Sequence, residues 1–243
     1  TSDIHERDLE YINMLASKGV DGILYCMSSD SDIEKFRECY NLLKMHDITF
    51  IMLDRSFQLP GLITAKLNHK KGGYLAAKHL IDLGHRRIAC VTGPKHLEDS
   101  MQRLDGYMKA LKEYGIPYDE SIIVEGNYHM ESGISAVDKL INKNFTAIFA
   151  FNDMMAYGVY KGLKAHGLLV PTDISLVGYD DISISEILEV PLTTIHQPVE
   201  RMGAAAAKHL IEIIEKGSQD KPIPIYSPSL VIRSSTAKLK PTK

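Results

Sequence analysis

The sequence comprises 243 residues, which is long enough for one large domain or two small ones with substantial cores. With 44% hydrophobic and 24% charged residues, its composition is that of a globular protein and excludes a disordered chain. A formal net charge of −3 gives no general attraction for nucleic acid, so it excludes binding through a broad basic surface.

Cysteine usage and the first residues bear on location. Cys26, Cys39 and Cys90 are scattered and have no CxxC spacing, which favours a reducing compartment over a disulfide framework. The opening stretch, TSDIHERDLE, is polar and acidic, unlike a secretory signal, and no run approaches the length of a membrane span. We therefore expect a cytoplasmic protein without membrane contact, a mature secreted protein whose signal has been removed being the alternative.

Short apolar runs alternate with helical patterns along the chain. The runs predict buried strands at residues 20–25, 49–53, 88–92, 122–125, 146–151 and 174–177. In the first helical pattern, residues 30–46, apolar residues recur at spacings of three and four behind the candidate caps Asp30 and Ser31. Further helices are predicted at 72–85, 98–116 and 152–168, which stop at or next to Gly84, Gly115 and Gly167. The helix of 152–168 has Asn152 or Asp153 as its candidate cap.

This alternation predicts an α/β fold of strand–helix–strand units with parallel sheets. The units fall into two sets with a seam near Gly93-Pro94. Residues 192–217 break the order, since a short extended piece and a proline precede a long helix with Met202, Ala206, Leu210 and Ile213-Ile214 facing inward. A strand-like stretch, residues 221–236, follows that helix.

Polar side chains follow most of the predicted strands. In open α/β sheets, ligands bind outside the carboxyl ends of the strands, so these residues are the candidates for a site. They are Ser28-Ser29, Asp54-Arg55, Gly93-Pro94, Asn152-Asp153 and Asp180-Asp181. Hydroxyl, guanidinium, amide and carboxylate groups together suit hydrogen bonding to a polyhydroxylated or heterocyclic small molecule.

The adjacent acids Asp180 and Asp181 pose a separate question. Successive residues of an extended chain point to opposite sides, so the two carboxylates are not expected to face one substrate. A glycosidase pair also stands roughly 5–10 Å apart across the scissile bond and usually comes from different segments. We predict that one acid binds a ligand while the other caps the following turn.

Enzyme templates fit the sequence poorly. It contains no GxSxG, GxGxxG, GxxxxGK[ST] or HExxH motif, and its ten histidines show no metal-like spacing beside a third ligand. Gly72-Gly73 opens a helix without a companion phosphate motif, so we interpret it as close packing of a helix on a strand. We expect no catalysis, no metal and no cofactor.

Six stretches in order along the chain resemble the regulatory core of lactose-repressor/galactose-repressor type transcription factors. They are HLIDLGHRRIACVTGP, RLDGYMKAL, AIFAFNDMMAYGV, VGYDDI, PLTTIHQP and PSLVIRSST. The resemblance implies a periplasmic-binding-protein-like fold of two Rossmann-like subdomains joined by three crossovers, with an effector bound in the cleft between them. On that pattern residues 1–92 plus 199–217 form the amino-terminal subdomain, and residues 93–198 plus 218–243 form the carboxy-terminal one.

The resemblance also implies which residues contact the effector. They are Asp54, Arg55, Arg103, Phe149, Asn152, Asp180 and Gln197. Alternatives stay open at three of them: a surface salt bridge to Glu98 or Asp99 for Arg103, helix capping for Asn152, and core packing for Phe149. Tyr179 is interpreted as packing.

The sequence departs from the family pattern in two places. Asn68-His69 stands where the pattern has Asp-Asn, which puts an effector contact from that turn in doubt. Family members also carry a helix-turn-helix headpiece and first strands before the stretch that resembles DIHERDLEYINMLASKGVDGIL. We therefore expect the chain to be a fragment whose amino-terminal subdomain is incomplete.

The resemblance predicts a ligand-responsive transcriptional regulator, represented by its effector-binding and dimerisation core. Its effector would be a sugar, a sugar phosphate or a purine. It would form a homodimer and would contact operator DNA only through the headpiece. A solute-binding protein of a sugar transport system is the alternative, disfavoured by the LTTIHQP crossover, the PSLVIRSST tail and the three cysteines. An α/β enzyme acting on a sugar or nucleoside is a third possibility, for which the sequence offers no converging nucleophile or base.

Overall fold

The structure is a computed structural model that describes residues 3–55, 57, 59, 61–217 and 222–239. Its elements in chain order are α1 (His5–Ser17), β1 (Gly22–Tyr25), α2 (Ile33–Met45), β2 (Thr49–Leu53), β3 (Thr64–Ala65), α3 (His69–Asp82), β4 (Ile88–Thr92), α4 (Glu98–Glu113), β5 (Ile123–Glu125), α5 (Met130–Leu140), β6 (Ala147–Ala150), α6 (Asp153–Ala165), β7 (Ser175–Val177), α7 (Ile184–Ile187), β8 (Thr194–His196), α8 (Val199–Lys216) and β9 (Ser229–Val231). All six predicted strands are present, and the predicted α/β fold with parallel sheets is confirmed.

The chain divides into two compact units. The first consists of Thr1–Leu67, His96–Asp99 and Pro198–Tyr226, and the second of Asn68–Lys95, Ser100–Gln197 and Ser227–Lys243. The predicted last boundary, after residue 217, falls after Tyr226 in these units, and the first falls after Leu67 and not after residue 92. The physical reason is β4, which pairs with β5 on one side and β6 on the other and so belongs to the second sheet.

The first unit is built on a parallel sheet in the order β1-β2-β3. The late helix α8 covers this sheet and places Met202, Ala206 and Leu210 in one buried cluster, as predicted; the other buried members are Ile51, Ala65 and Leu67. Ile213 packs at the edge of this cluster, whereas Ile214 is 39% exposed, contrary to the prediction that both face inward. Sequence-distant α8 therefore supplies one wall of the first unit's core.

The second unit is built on a parallel sheet in the order β5-β4-β6-β7. Its central strands β4 and β6 are buried along their whole length, which explains their continuous apolar sequences. A small antiparallel pair, β8 with β9, completes the unit. None of the helices among the described residues is both long and apolar enough to cross a bilayer.

Glycines let the helices of the second unit approach closely. A Cβ at Gly73 would overlap the backbone of Arg103 in α4, and one at Gly106 would overlap the backbone of Lys70 in α3. A Cβ at Gly72 would overlap the side chain of Tyr179. The prediction of close packing was right, but the partner of Gly73 is another helix and not a strand.

Several local predictions were wrong or incomplete. The cap of α2 is Asp32, whose side chain accepts from the amides of Glu34 and Lys35, and not Asp30 or Ser31. Helices α1 and α5 were missed, and neither has a side-chain cap, since Ile4 and His129 occupy the capping positions. Without a capping signal these helices could be found only from their periodicity.

Candidate functional site

In the second unit, Arg103 is held in a fixed orientation by three groups. Its side chain is buried, which argues against the surface salt bridge that the sequence left open. Nε donates to His69 Nδ1 at 3.3 Å, an Nη group donates to the Phe151 carbonyl, and the guanidinium lies 3.9 Å from the centre of the Tyr179 ring. Stacking on an aromatic face fixes the plane of a guanidinium and hence the directions of its donors.

The contact with Arg103 also determines which ring nitrogen of His69 accepts a hydrogen bond. An arginine only donates hydrogen bonds, so Nδ1 of His69 must be the acceptor and the ring hydrogen must lie on Nε2. The Tyr179 hydroxyl lies 3.3 Å from the same Nδ1. His69 and Tyr179, which the sequence left in doubt or assigned to packing, are therefore the residues that orient Arg103.

Asn152 serves as the cap of α6. Its Oδ1 accepts from the Met155 amide at 2.8 Å, and its Nδ2 donates to the Tyr128 carbonyl at 2.8 Å. Capping, one of the two predicted roles, is thus present. The second hydrogen of Nδ2 is the donor that Asn152 can offer to a ligand.

The adjacent acids Asp180 and Asp181 have separate partners. Asp180 Oδ1 accepts from Gln197 Nε2 at 2.6 Å. Asp181 instead accepts from Arg233 at 2.7 Å and lies 3.0 Å from His196 Nδ1. The prediction that the acids diverge is right, but Asp181 anchors the segment to Arg233 and His196 and does not cap the following turn.

Gln197 and Ser100 carry buried oxygens that the described residues leave without a hydrogen-bond partner. These atoms are Oε1 of Gln197 and Oγ of Ser100, and both side chains are more than nine-tenths buried. Buried polar atoms in folded proteins are nearly always paired, so such atoms mark a place where a ligand or water completes the hydrogen bonding. Ser100 was not singled out from the sequence, although its spacing of three from Arg103 places it on the same face of α4.

Phe149 lies in the core of the second unit. It has no exposed surface, and its ring centre is 4.8 Å from that of Phe151 and 6.4 Å from that of Tyr179. Of the two interpretations the sequence left open, these contacts support packing. Phe149 would then act on a ligand only through Tyr179.

In the first unit, Asp54 and Arg55 follow the carboxyl end of β2. Asp54 has a φ of 61° and accepts from the Leu67 amide at 3.3 Å. Arg55 donates to Asp3 at 3.1 Å, and its Nε lies 3.7 Å from Asp99. In the loop between β1 and α2, the Ser31 hydroxyl is buried and has no partner among the described residues. The first unit thus also presents polar groups at its strand ends.

The chemistry of these groups is that of hydrogen bonding. Within the described part of the chain, no three His, Cys, Asp or Glu side chains are grouped so that they could hold a metal ion. What the second unit offers is a carboxylate, an amide oxygen, a hydroxyl and an oriented guanidinium.

Comparison with known proteins gives a consistent result. Residues 77–236 match the family model of the periplasmic binding protein-like domain. The chain is 40% identical over 245 residues to the HTH-type transcriptional repressor PurR of Vibrio atlanticus (strain LGP32), covering 98% of this chain and 71% of that protein. The PurR repressor of Vibrio vulnificus (strain CMCP6) is also 40% identical, with the same coverage.

Solved structures resemble the chain over nearly its whole length. A LacI family transcriptional regulator from Enterococcus faecium, with bound ribose, has a TM-score of 0.84 at 32% identity and covers 96% of this chain and 85% of that one. The cellobiose complex of the regulator CelR has a TM-score of 0.84 at 31% identity, covering 95% of this chain and 69% of that one. These relatives are regulators, which disfavours the alternative of a transport protein. The chain belongs to the LacI family of transcriptional regulators and is the effector-binding core of a ligand-responsive member.

Proposed function

We propose that this core binds an uncharged, polyhydroxylated metabolite of the pentose class through Arg103, Asn152, Asp180 and Gln197 of the second unit. The observation that carries the proposal is the set of oriented acceptors and donors in the second unit. Arg103 touches Phe151 and Tyr179, the residues directly before Asn152 and Asp180. Gln197 is bonded to Asp180. Contacts through Phe151, Tyr179 and Asp180 therefore connect all four proposed residues to one another.

The balance of donors and acceptors favours a polyol over a phosphate ester. Asp180 is a carboxylate, and Gln197 Oε1 and Ser100 Oγ are oxygens that a ligand hydroxyl can satisfy by donating. A phosphate offers only acceptors and adds about −1.5 to −2 charge beside Asp180. Solved relatives from Enterococcus faecium and Enterococcus faecalis V583 carry bound ribose, in agreement with a pentose.

Sugar phosphates and purines remain the competing ligand classes. One solved relative, from Escherichia coli, is complexed with phosphate at 28% identity. A purine would need a stacking partner, and Phe149 is buried against Phe151 and Tyr179. We therefore rank both classes below the pentose.

In the proposed mechanism no bond is made or broken, and the chain is not an enzyme. An effector that binds one conformation more tightly shifts the population toward it by its differential affinity. In a homodimeric cytoplasmic regulator, this shift changes how well the DNA-binding parts fit an operator. The curated relatives are named HTH-type repressors, which supports operator control as the output.

A thermal-shift screen tests the proposal. D-ribose, cellobiose, ribose 5-phosphate and adenine are titrated against the chain; a ligand at 100 times its Kd stabilises by about 2.7 kcal/mol. We expect D-ribose to raise Tm, and Arg103→Ala or Asp180→Ala to remove the shift. Arg37→Ala, an exposed arginine paired with Glu34, is the control that should respond like the parent.

Two results would contradict the proposal. A rise in Tm with ribose 5-phosphate or adenine but not with sugars would show that the ligand is a phosphate ester or a purine and not a pentose. Equal shifts in the parent, Arg103→Ala and Asp180→Ala would show that these residues do not form the site.

A further inference from the structure

A buried carboxylate joins three segments of the second unit. Asp153, the first residue of α6, has no exposed surface. Its Oδ2 accepts from the Ser185 hydroxyl at 2.6 Å and from the Ile182 amide at 3.1 Å. Its Oδ1 accepts from the Thr194 hydroxyl at 2.6 Å. Both hydroxyl partners are fully buried, so water does not compete for these hydrogen bonds.

Each joined segment carries one proposed effector contact. Asn152 directly precedes Asp153 in the chain. Asp180 stands two residues before Ile182, and Gln197 stands three residues after Thr194. A single side chain thus fixes the relative positions of the turn before α6, the loop after β7 and the crossover strand β8.

The loop after β7 needs such support because its backbone is unfavourable. Asp180 and Asp181 have φ values of 121° and 60°, in the region that residues other than glycine rarely adopt. A residue in such a conformation is destabilising and persists only where its surroundings hold it. The Asp180 amide donates to the Ile195 carbonyl at 2.9 Å, and the Ile182 amide donates to Asp153.

The charge on Asp153 fits this role better than an amide would. All three partners of its carboxylate are donors, whereas an asparagine would turn an NH2 group toward at least one of them. Burial raises the pKa of Asp153, while the hydrogen bonds from Ser185, Thr194 and Ile182 oppose that rise. At Gly178 an added Cβ would overlap the Asp153 carboxylate, so the end of β7 is shaped around it.

We propose that Asp153 is a positioning residue: it holds Asp180 and Gln197 in the arrangement that accepts the effector, without touching the effector itself. This inference rests on the proposed function, since it concerns the same site. It adds a structural link to regulation, because β8 leads directly to Pro198, where the chain passes into the first unit.

A double-mutant cycle of D-ribose binding tests the role of Asp153. Isothermal titration compares the parent, Asp153→Asn, Asp180→Asn and the double variant. We expect Asp153→Asn to raise Kd at least 10-fold, and to change it less than 3-fold once Asp180 has already been replaced. A purely structural carboxylate would lower Tm in both backgrounds and leave the Kd of the folded protein unchanged, which would overturn the proposal.

The matched control is Asp173→Asn. This exposed carboxylate also accepts a hydrogen bond from a backbone amide, that of Leu169 at 2.8 Å, but in a turn before β7. It should leave Kd within 2-fold of the parent. A loss of affinity equal to that of Asp153→Asn would show that any carboxylate in such a turn has this effect, and would also overturn the proposal.

Amide hydrogen exchange without ligand separates this inference from the proposed function. In Asp153→Asn we expect peptides covering 180–186 and 193–197 to exchange at least 10-fold faster, with β4 and α5 unchanged. If the parent fails to bind D-ribose, or Asp180→Asn binds it normally, the proposed function fails, and the exchange rates alone decide whether Asp153 holds the two segments. Unchanged exchange in both peptides overturns the inference whatever the ligand does.

Discussion

The guanidinium carbon of Arg103 lies 3.9 Å from the centre of the Tyr179 ring, and Tyr179 has no exposed surface. This stack lies next to Asp180 in sequence, so one aromatic ring both orients the arginine and begins the loop that carries the carboxylate. A lysine in place of Arg103 would keep the positive charge but would lose the planar set of hydrogen-bond donors and the stacking on Tyr179.

We therefore predict that Arg103→Lys binds D-ribose at least about 10-fold more weakly than the parent. The fork donates to His69 and to the Phe151 carbonyl, and a single ammonium cannot keep both of these contacts and also donate to a ligand. Isothermal titration measures the change. Arg37→Lys, at an exposed ion pair, should leave Kd unchanged. A charge-only role for Arg103 would be indicated by an affinity within 2-fold of the parent.

The glycines of α3 give a prediction about stability. Gly73→Ala brings a methyl group against the backbone of Arg103, which cannot move without shifting α4. We expect a loss of roughly 1–3 kcal/mol in the free energy of unfolding, together with weaker D-ribose binding because α4 carries Arg103. The measurement is urea unfolding followed by circular dichroism.

Gly203→Ala in α8 is the control for this substitution. A Cβ there meets nothing within 4 Å, so alanine should stabilise the helix by roughly 0.5–1 kcal/mol. If Gly73→Ala and Gly203→Ala have the same effect, the close approach of α3 and α4 is not what requires glycine.

The sequence predicted every strand of the two parallel sheets except β3, because the six predicted strands are apolar runs with polar residues after most of them, whereas β3 has only two residues. The same logic located Asn152 and Asp180, since strand ends are where open α/β sheets expose side chains. Arg103 was found through the family resemblance, because a helix interior gives no comparable signal. Its orientation by His69 and Tyr179 depends on a contact across 110 residues and could not be read from local patterns.

The boundary after residue 92 was misplaced for a related reason. A strand does not show in its sequence which sheet it joins, and β4 is recognisable as a central strand only once β5 and β6 are seen on its two sides. Asp153 was noted only as a possible cap and as one of the polar residues that follow a strand. Its three donors come from residues 29 to 41 positions away, beyond the reach of any local motif.

A substitution at Phe149 distinguishes stacking on a ligand from packing in the core. We predict that Phe149→Leu lowers the free energy of unfolding by roughly 1–3 kcal/mol, because the smaller side chain leaves a cavity beside Phe151. The Kd for D-ribose should stay within 3-fold of the parent. A loss of affinity above 10-fold without a loss of stability would restore Phe149 as a ligand contact.

Two histidines hold the carboxyl-terminal stretch onto the second unit and predict how its stability depends on pH. His85 Nε2 lies 3.1 Å from the Ala237 carbonyl, and His79 Nε2 lies 2.9 Å from the Thr236 hydroxyl. Burial lowers the pKa of both histidines below their ordinary 6.5; for His79 the nearby Asp82 acts in the opposite direction, and for His85 the hydrogen bond to Ala237 does.

A base with a lowered pKa binds fewer protons in the folded chain than in the unfolded chain. On acidification the unfolded state takes up protons first, starting near pH 6.5, so this contribution to stability is complete above that pH and is lost as pH falls through it. We predict that urea unfolding at pH 7.5 and at pH 5.5 will show lower stability at pH 5.5, and that His85→Gln will show a smaller difference. Other groups titrate alike in both proteins, so the difference between the two pH dependences isolates His85. Identical pH dependences would mean that His85 is protonated as readily in the folded chain as in the unfolded one.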